Sequence, residues 1–504
     1  MKRLFAIFCA AALCAGETRS LQSIYTSLDP TSVFQHFAFY ELYPDTPLGK
    51  ESLQHGWHLL SATPKEQILP SIDIRPLIEF VNRMPNTCNA PTLNEKQLQV
   101  IEEISQRLEN RKLKGFGIWN MEELLALPSE QIDLARALLL AELEEDSPEA
   151  RIKIRSYESE IDLMALQLLA RFPSNPTPTQ KLRVMNDLLF NEMRFRFPPH
   201  AMGIKEIDLY TFLPSVLDSR RGVCLGVSIL YLCLAQRLGL HLEAITPPGH
   251  IYVRYRDPNT DEITNIETTA RGINLPSETY LGIDTRSLQQ RTIREVVGLA
   301  FMNQAAVSIN EIAVKLYERA RKFLPEDDYL LNMFLGFHYL YVNRIEEGTA
   351  LLKKIRGVIP DHMISADTVS EDYLEGKTDA DGIQAIFMEI DETRNSILKK
   401  QKAIQDVLVK YPDFRQGILH LAVTYLQLGR EKEAIPHLRR YAELAPEDPT
   451  AQYYLSAIHF QRSNFNEAWH FLQKAEQILF RRKHDPRALK NLRKELQRAC
   501  PEPF

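Results

Sequence analysis

The sequence predicts a multidomain, mainly α protein in which an α+β domain is followed by an α-helical solenoid. Three observations carry that expectation. The chain is 504 residues long, its helical periodicity gives way once to paired strand patterns, and a helix–turn–helix pattern later returns every 34 residues. A chain of this length exceeds what a single core organises, so about three domains are expected. With 44% hydrophobic and 25% charged residues the composition is that of a globular protein, which excludes a disordered chain or a fibre. The net charge of -6 and the lack of a large basic block argue against nucleic acid as a partner. The short run Arg481, Arg482, Lys483 fits a solvated helix face.

The chain opens MKRLFAIFCAAALCAGETRS. Lys2 and Arg3 precede an apolar run from Leu4 to about Leu13, and small residues follow. That order predicts a secretory signal peptide over 1–16, too short to span a bilayer, and hence an exported, periplasmic or secreted protein; were the segment a buried N-terminal helix instead, the protein would be cytoplasmic. Export would leave Cys88, Cys224, Cys233 and Cys500, too widely spread for a disulfide framework. No CxxC pair or Cys/His cluster has zinc spacing, so no metal is expected. No later segment reads as a membrane span.

Residues 17–115 read as irregular, because Pro44, Pro47, Pro64, Pro70, Pro76, Pro85 and Pro91 divide short apolar patches. One helix is expected there, from Leu93 to Leu113, and no role is assigned to the region. From 116 to 298 the α+β domain is expected. "SEQIDLARALLLAELEE" puts Ile132, Ala135, Leu138 and Leu139 on one stripe, with Ser129 as the cap. "YESEIDLMALQLLARF" gives a second helix, and a third begins near Thr179 with Leu182, Met185, Leu188 and Leu189. Then "HIYVRYR" (250–256) and "EITNIETT" (262–269) flank "DPNTD", which is turn chemistry, so an antiparallel hairpin is expected.

The solenoid is expected over 299–500. "ILHLAVTYLQLGREKEAIPHLRRYAELAPEDP" and "YYLSAIHFQRSNFNEAWHFLQKAEQIL" superpose at an offset of 34, aligning Ala422 with Ser456, Ala434 with Ala468 and Leu438 with Leu472. A third copy offers Gly336, Tyr339, Gly348, Leu352 and Pro360. Small residues where two helices cross, and proline at the exit, are the tetratricopeptide signature. Tyr441 stands where such a repeat usually has alanine. Segments 301–325 and 381–412 read as degenerate half-repeats ending at Pro325 and Pro412, and 361–380 as an extended loop.

In "LPSVLDSRRGVCLGVSILYLCLAQRLGL" an apolar helix pattern covers 225–238 and stops at Gly239. Arg221 and Gly222 break the pattern ahead of it, so Cys224 falls in the first helical turn. There the unpaired N–H groups and the dipole favour thiolate, with Arg220 and Arg221 adding positive charge. Cys233, mid-helix in an apolar run, reads as a core residue. His250 follows "TPPG" and opens a strand pattern, and a turn at 257–261 makes it a cross-strand neighbour of Glu267, or nearly so. A carboxylate there orients the imidazole toward a thiol packed on the sheet. A one-residue slip would give that role to Asn265 instead. His55, His58 and His200 have no partner at informative spacing.

With "IDLARALLLAELE", "LPSVLDSRRGVCLGVSILYLCLAQRLGL", "PPGHIYVRY" and "NIETTARG" in this order, the chain from about 120 to 300 resembles the transglutaminase-like superfamily. It is most similar to the bacterial branch whose domain is followed by tetratricopeptide repeats. The resemblance implies a papain-like arrangement with Cys224 as nucleophile, His250 as general base and Glu267 as orienting acid, where the family usually has aspartate. It implies a thiol enzyme acting on amide bonds, as peptidase, amidase or acyl transferase, without cofactor, on a protein or peptide substrate. The repeats would recruit protein partners. The alternative is a catalytically inactive scaffold, since the branch includes members that lack the cysteine. A calcium-dependent crosslinker is disfavoured because no carboxylate-rich calcium loop is visible.

Overall fold

The computed structural model describes residues 17–62, 69–83, 93–143, 147–199, 208–391 and 393–502. The expected signal peptide with Cys9 and Cys14, together with Pro64, Pro85, Cys88, Pro91 and His200, lies outside the described residues. The fold is mainly helical, with a four-stranded antiparallel sheet in the order β3-β2-β1-β4. The strands are β1 (Glu243–Thr246), β2 (Tyr252–Arg256), β3 (Ile263–Ile266) and β4 (Gln289–Arg291). Among the described residues no helix is long and apolar enough to cross a membrane.

The N-terminal region is not irregular. Helices Glu17–Thr26, Val33–Leu42, Pro47–Ser61 and Arg75–Asn82 occupy it. Two of its prolines start helices instead of breaking them. Pro47 and Pro76 sit in the first turn, where the missing N–H has no helical partner to lose. The expected helix Leu93–Leu113 is shorter, Glu95–Ile104, and gives way to successive 3₁₀ turns as far as Gly117. Its start is a capping box between Asn94 and Gln97.

The helix expected near Ile132 runs over Leu134–Leu143. Its cap is Asp133, whose Oδ1 accepts from the Arg136 N–H at 2.9 Å, while the hydroxyl of Ser129 accepts from the Arg294 N–H. The following helix, Pro148–Arg171, extends further toward the N-terminus than its apolar stretch suggests, because Ser147 caps it and Pro148 starts it. Helix Pro178–Asn186 continues as a wider π-type turn over Asp187–Glu192, with Leu182, Met185, Leu188 and Leu189 all buried.

The repeats form helix pairs: Ile293–Ala306 with Asn310–Ala320, Tyr329–Tyr341 with Ile345–Ile355, Arg415–Gln427 with Glu431–Leu444, and Thr450–Gln461 with Phe465–Arg481. The first of these is a full hairpin beginning at Ile293, and Arg394–Lys410 supplies the long helix before Pro412. Close approach explains the small residues. A Cβ on Gly348 would come within 2.8 Å of the Gly336 carbonyl oxygen, and the Ser456 hydroxyl donates to the Ala468 carbonyl at 2.8 Å. Tyr441 fits its crossing by burying its ring and donating its hydroxyl to Asp448. Segment 361–380 is not an extended loop. It contains helix Val369–Leu374, buries Ile364 and Val369, and is clamped by Arg415 on Asp372. Its polar residues pair with one another and with the next repeat, so a polar composition does not mean a solvated loop. Helix Arg487–Ala499 closes the stack by laying Leu489, Leu492 and Leu496 on the cluster around Trp469.

Candidate active site

Cys224 is the first residue of the helix Cys224–Arg237, whose interior is almost wholly buried. The N-cap, Val223, offers no side-chain acceptor, so the first-turn N–H groups stay available. Gly226 is required one turn into that helix: a Cβ there would lie 2.3 Å from the Tyr210 carbonyl oxygen. Cys224 is half-buried and free, whereas Cys233 is fully buried and its thiol is pushed well above the ordinary range by burial. Cys233 is thus a core residue.

His250 reaches the site from a tight turn. Its N–H donates to the Pro247 carbonyl at 3.1 Å, and Gly249 takes φ of 68°, as a type II turn with proline ahead of glycine demands. The hairpin register differs from the expected one. Val253 pairs with Ile266 and Arg256 with Ile263, around a longer loop over 257–262. Asp257 fixes that loop by accepting the Asn259 and Thr260 N–H groups on Oδ1. One step past the last pair, Glu267 is level with Tyr252, and His250 becomes its diagonal rather than its direct neighbour.

The two side chains nonetheless meet. His250 Nε2 lies 2.7 Å from Glu267 Oε2, with the imidazole about a quarter exposed and the carboxylate almost fully buried. Asn265 does not take the orienting role. Its amide donates to the Leu275 carbonyl and its oxygen accepts from Arg254. Glutamate, longer than the aspartate usual in the family, is held by its own turn: Oε1 accepts from the Thr269 N–H at 3.2 Å and from its hydroxyl at 2.6 Å. Tyr280 donates to Oε2 at 2.6 Å. Burial would raise the Glu267 carboxyl, but the hydrogen bonds from His250, Thr269 and Tyr280 outweigh it and hold the group down at about 2. For His250, burial acts to lower the imidazole. Hydrogen bonding to Cys224 and Glu267, and their charges, override it and push it up to about 10.

Tyr280 was missed by sequence reasoning. Its ring stacks on Tyr252 at 4.5 Å between centroids and on His250 at 5.8 Å, so it steers both the carboxylate and the imidazole. It lies in a short 3₁₀ turn, Ser277–Tyr280, with no periodicity to reveal it. The segment just after it is gripped by the repeats: Ile364 N–H donates to Asp284 O at 3.0 Å, Arg286 N–H to His362 O at 2.8 Å, and His484 Nε2 meets Gly282 O at 3.2 Å. A buried contact of 3.0 Å between Ser228 and Thr268 hydroxyls ties the cysteine helix to the Glu267 turn. Arg220 does not charge the thiol's surroundings, because its guanidinium is buried against Glu160 at 3.2 Å.

Residues 155–300 match the family described as the transglutaminase-like superfamily, and the chain carries a transglutaminase-like domain there. No curated protein matches the chain. Among solved structures it is similar to a thermophilic tetratricopeptide protein of Thermus thermophilus, at 18% identity and TM-score 0.22 over 41% of this chain and 96% of that one. It is also similar to menin, in a structure described as revealing the binding site for the Mixed Lineage Leukemia protein, at 13% identity and TM-score 0.28 over 79% and 88%. A third is the Cut9–Hcn1 hetero-tetramer of the APC/C, at 12% identity and TM-score 0.23 over 99% and 95%. Likenesses this low say nothing about activity, and the repeat architecture stands on the helix hairpins themselves.

Proposed function

We propose that the protein is a thiol enzyme that cleaves or transfers amide acyl groups, with Cys224 as nucleophile, His250 as proton carrier and Glu267 as the orienting carboxylate. The observation that carries this reading is the 2.7 Å contact between His250 and a fully hydrogen-bonded Glu267, set beside a cysteine at the start of a buried helix. Cys224 attacks as thiolate and forms a carbon–sulfur bond to the substrate carbonyl, while its own N–H helps hold the oxyanion. His250 gives its proton to the departing amine as the carbon–nitrogen bond breaks. Water or a second amine then opens the thioester and its proton returns to His250. No cofactor enters the balance.

The repeats recruit a protein or peptide partner. An aromatic groove of about 790 Å³, lined among others by Tyr317, Phe334, Phe337, His338, Tyr341 and Phe387, supports that role. Exported action, periplasmic or secreted, accompanies the reading, on the strength of the N-terminal charge and apolar pattern.

Incubation with a peptide library and an excess of a small primary amine, read by mass spectrometry, tests the reading. Cleaved, deamidated or amine-bearing peptides that vanish with Cys224→Ala are expected. Identical libraries from wild type and variant, with partner binding by the repeats intact, would leave a scaffold without catalysis.

A further inference from the structure

The arginines of this chain that serve the fold find acids. Arg83, Arg111, Arg136, Arg220 and Arg237 each pair with a carboxylate of the helix Pro148–Arg171. Three arginines on the segments that adjoin the Cys224 loop and the Glu267 turn do not. Among the described residues Arg194, Arg196 and Arg271 form no ion pair, and Arg196 spends its side-chain hydrogen bond on the carbonyl of its own neighbour, Phe195. Burial and then the charges of Arg271 and Arg194 all push the Arg196 guanidinium down, and no described acid offsets them.

The placement of the three is tied to the site. Arg196 and Arg221 form a parallel bridge, with Gly222 N–H donating to Arg196 O and Arg196 N–H to Arg220 O, both at 3.1 Å. That bridge leads directly into Cys224. Arg271 ends the turn that Glu267 begins, and the Asn186 amide holds that turn by donating to Gly272 O. Arg194 and Arg271 both take left-handed backbone, with φ of 59° and 61°, a conformation arginine rarely adopts. A cavity of about 610 Å³ opens here, lined by Asn191, Arg194, Arg196, Ser219 and Arg221 among others. Arg194 and Arg196 line this cavity beside the loop that precedes Cys224, Arg271 adds its charge to Arg196, and no described acid pairs with any of the three, an arrangement that an anion would complete.

We propose that Arg194, Arg196 and Arg271 form a carboxylate-binding subsite that selects acidic polypeptide substrates for Cys224. The carboxylate comes from an acidic side chain or from a free C-terminus, and planar guanidinium groups suit either. The assignment rests on the thiol-enzyme reading for its orientation, but its binding test does not need turnover.

The experiment is isothermal titration calorimetry on the full chain carrying Cys224→Ser. The three probes are an amide-capped neutral pentapeptide, the same peptide with one Gln replaced by Glu, and the neutral peptide with a free C-terminus. At low salt one of the two carboxylate peptides binds about tenfold tighter than the neutral one, a gap of charge-assisted size. Which of the two does so names the source. Raising the salt to about 0.5 M shrinks the gap. Arg194→Gln with Arg271→Gln abolishes it and leaves Tm unchanged or higher, since like-charge repulsion is relieved, whereas arginines with a structural role would lower Tm. Equal binding of all three peptides, no binding of the acidic ones, or a gap that survives in the double variant overturns the subsite. A gap with no Cys224 chemistry sinks the enzyme reading instead.

Discussion

The half of the molecule that holds Cys224 contains a network of buried charged pairs; in the last repeats the pairs lie at the surface. Helix Pro148–Arg171 carries Glu158, Glu160 and Asp162 inward. Glu158 takes a two-pronged bond from Arg136 at 2.7 and 2.8 Å, Glu160 lies between Arg83 and Arg220, and Asp162 between Arg111 and Arg237. These pairs reach from the N-terminal region to both ends of the segment around Cys224. The region before residue 115, to which the sequence assigns no role, is thereby part of the support of the site. In the repeats, pairs such as Arg440 with Asp413 are about half exposed, and stability comes from nearest-neighbour packing such as Trp469 and Leu472 against the last helix. The site-bearing half should therefore fail as one unit, and the solenoid piece by piece.

The largest expected effect is in the buried network. Asp162→Ala leaves Arg111 and Arg237 without their acid and costs about 3–5 kcal/mol. Denaturant unfolding followed by hydrogen exchange should show protection lost together from the N-terminal helices through the sheet. Loss confined to one helix would break the comparison. Leu472→Ala opens a cavity in the last repeats and costs about 3 kcal/mol. Its exchange signature should stay within residues 450–499 and leave the Cys224 helix protected.

Tyr280→Phe removes one donor to the charged Glu267 and costs about 1.5 kcal/mol. Its sharper readout is the pH profile of Cys224 alkylation, which should move toward that of a less supported imidazole while the fold remains. The site also makes stability depend on pH. His250 is raised from 6.5 to about 10, so its contribution is full below 6.5 and is lost as pH climbs toward 10. Glu267 is lowered from 4.5 to about 2, so its contribution is present above 4.5 and is lost as pH falls toward 2. Tm measured from pH 7 to 10 should fall more in wild type than in His250→Ala, and parallel curves would refute the coupling. The smallest effect belongs to Arg440→Ala, which removes a solvent-screened surface pair and should leave the denaturation midpoint where it is.

What the chain announces and what it hides follow from the same contrast. The repeats were legible because Ala422, Ala434, Ser456 and Ala468 obey a period set by helix crossing, and all four are buried. The cysteine helix was legible from its apolar run and the break at Gly222. Glu267 was found through a register that proved two residues off. His250 and Glu267 still meet because a diagonal neighbour on the same face is within reach of a long side chain. The buried network was hidden, since Glu158, Glu160 and Asp162 look like the polar face of a helix until Arg83, Arg111 and Arg237 arrive from far along the chain. Tyr280 was hidden because a short 3₁₀ turn carries no periodicity, and the clamp on residues 282–286 because its partners, His362, Ile364 and His484, lie in a different domain of the sequence.

The central claim is that Cys224 is an activated nucleophile held by His250. Its most direct test is the rate of Cys224 alkylation by iodoacetamide against pH, mapped by mass spectrometry in wild type and His250→Ala, with Cys233 and Cys500 as internal controls. The account predicts that Cys224 reacts well below the ordinary thiol range of about 8.5 and loses that reactivity with His250. A Cys224 that titrates as a free thiol in both proteins, or is inert in both, contradicts it.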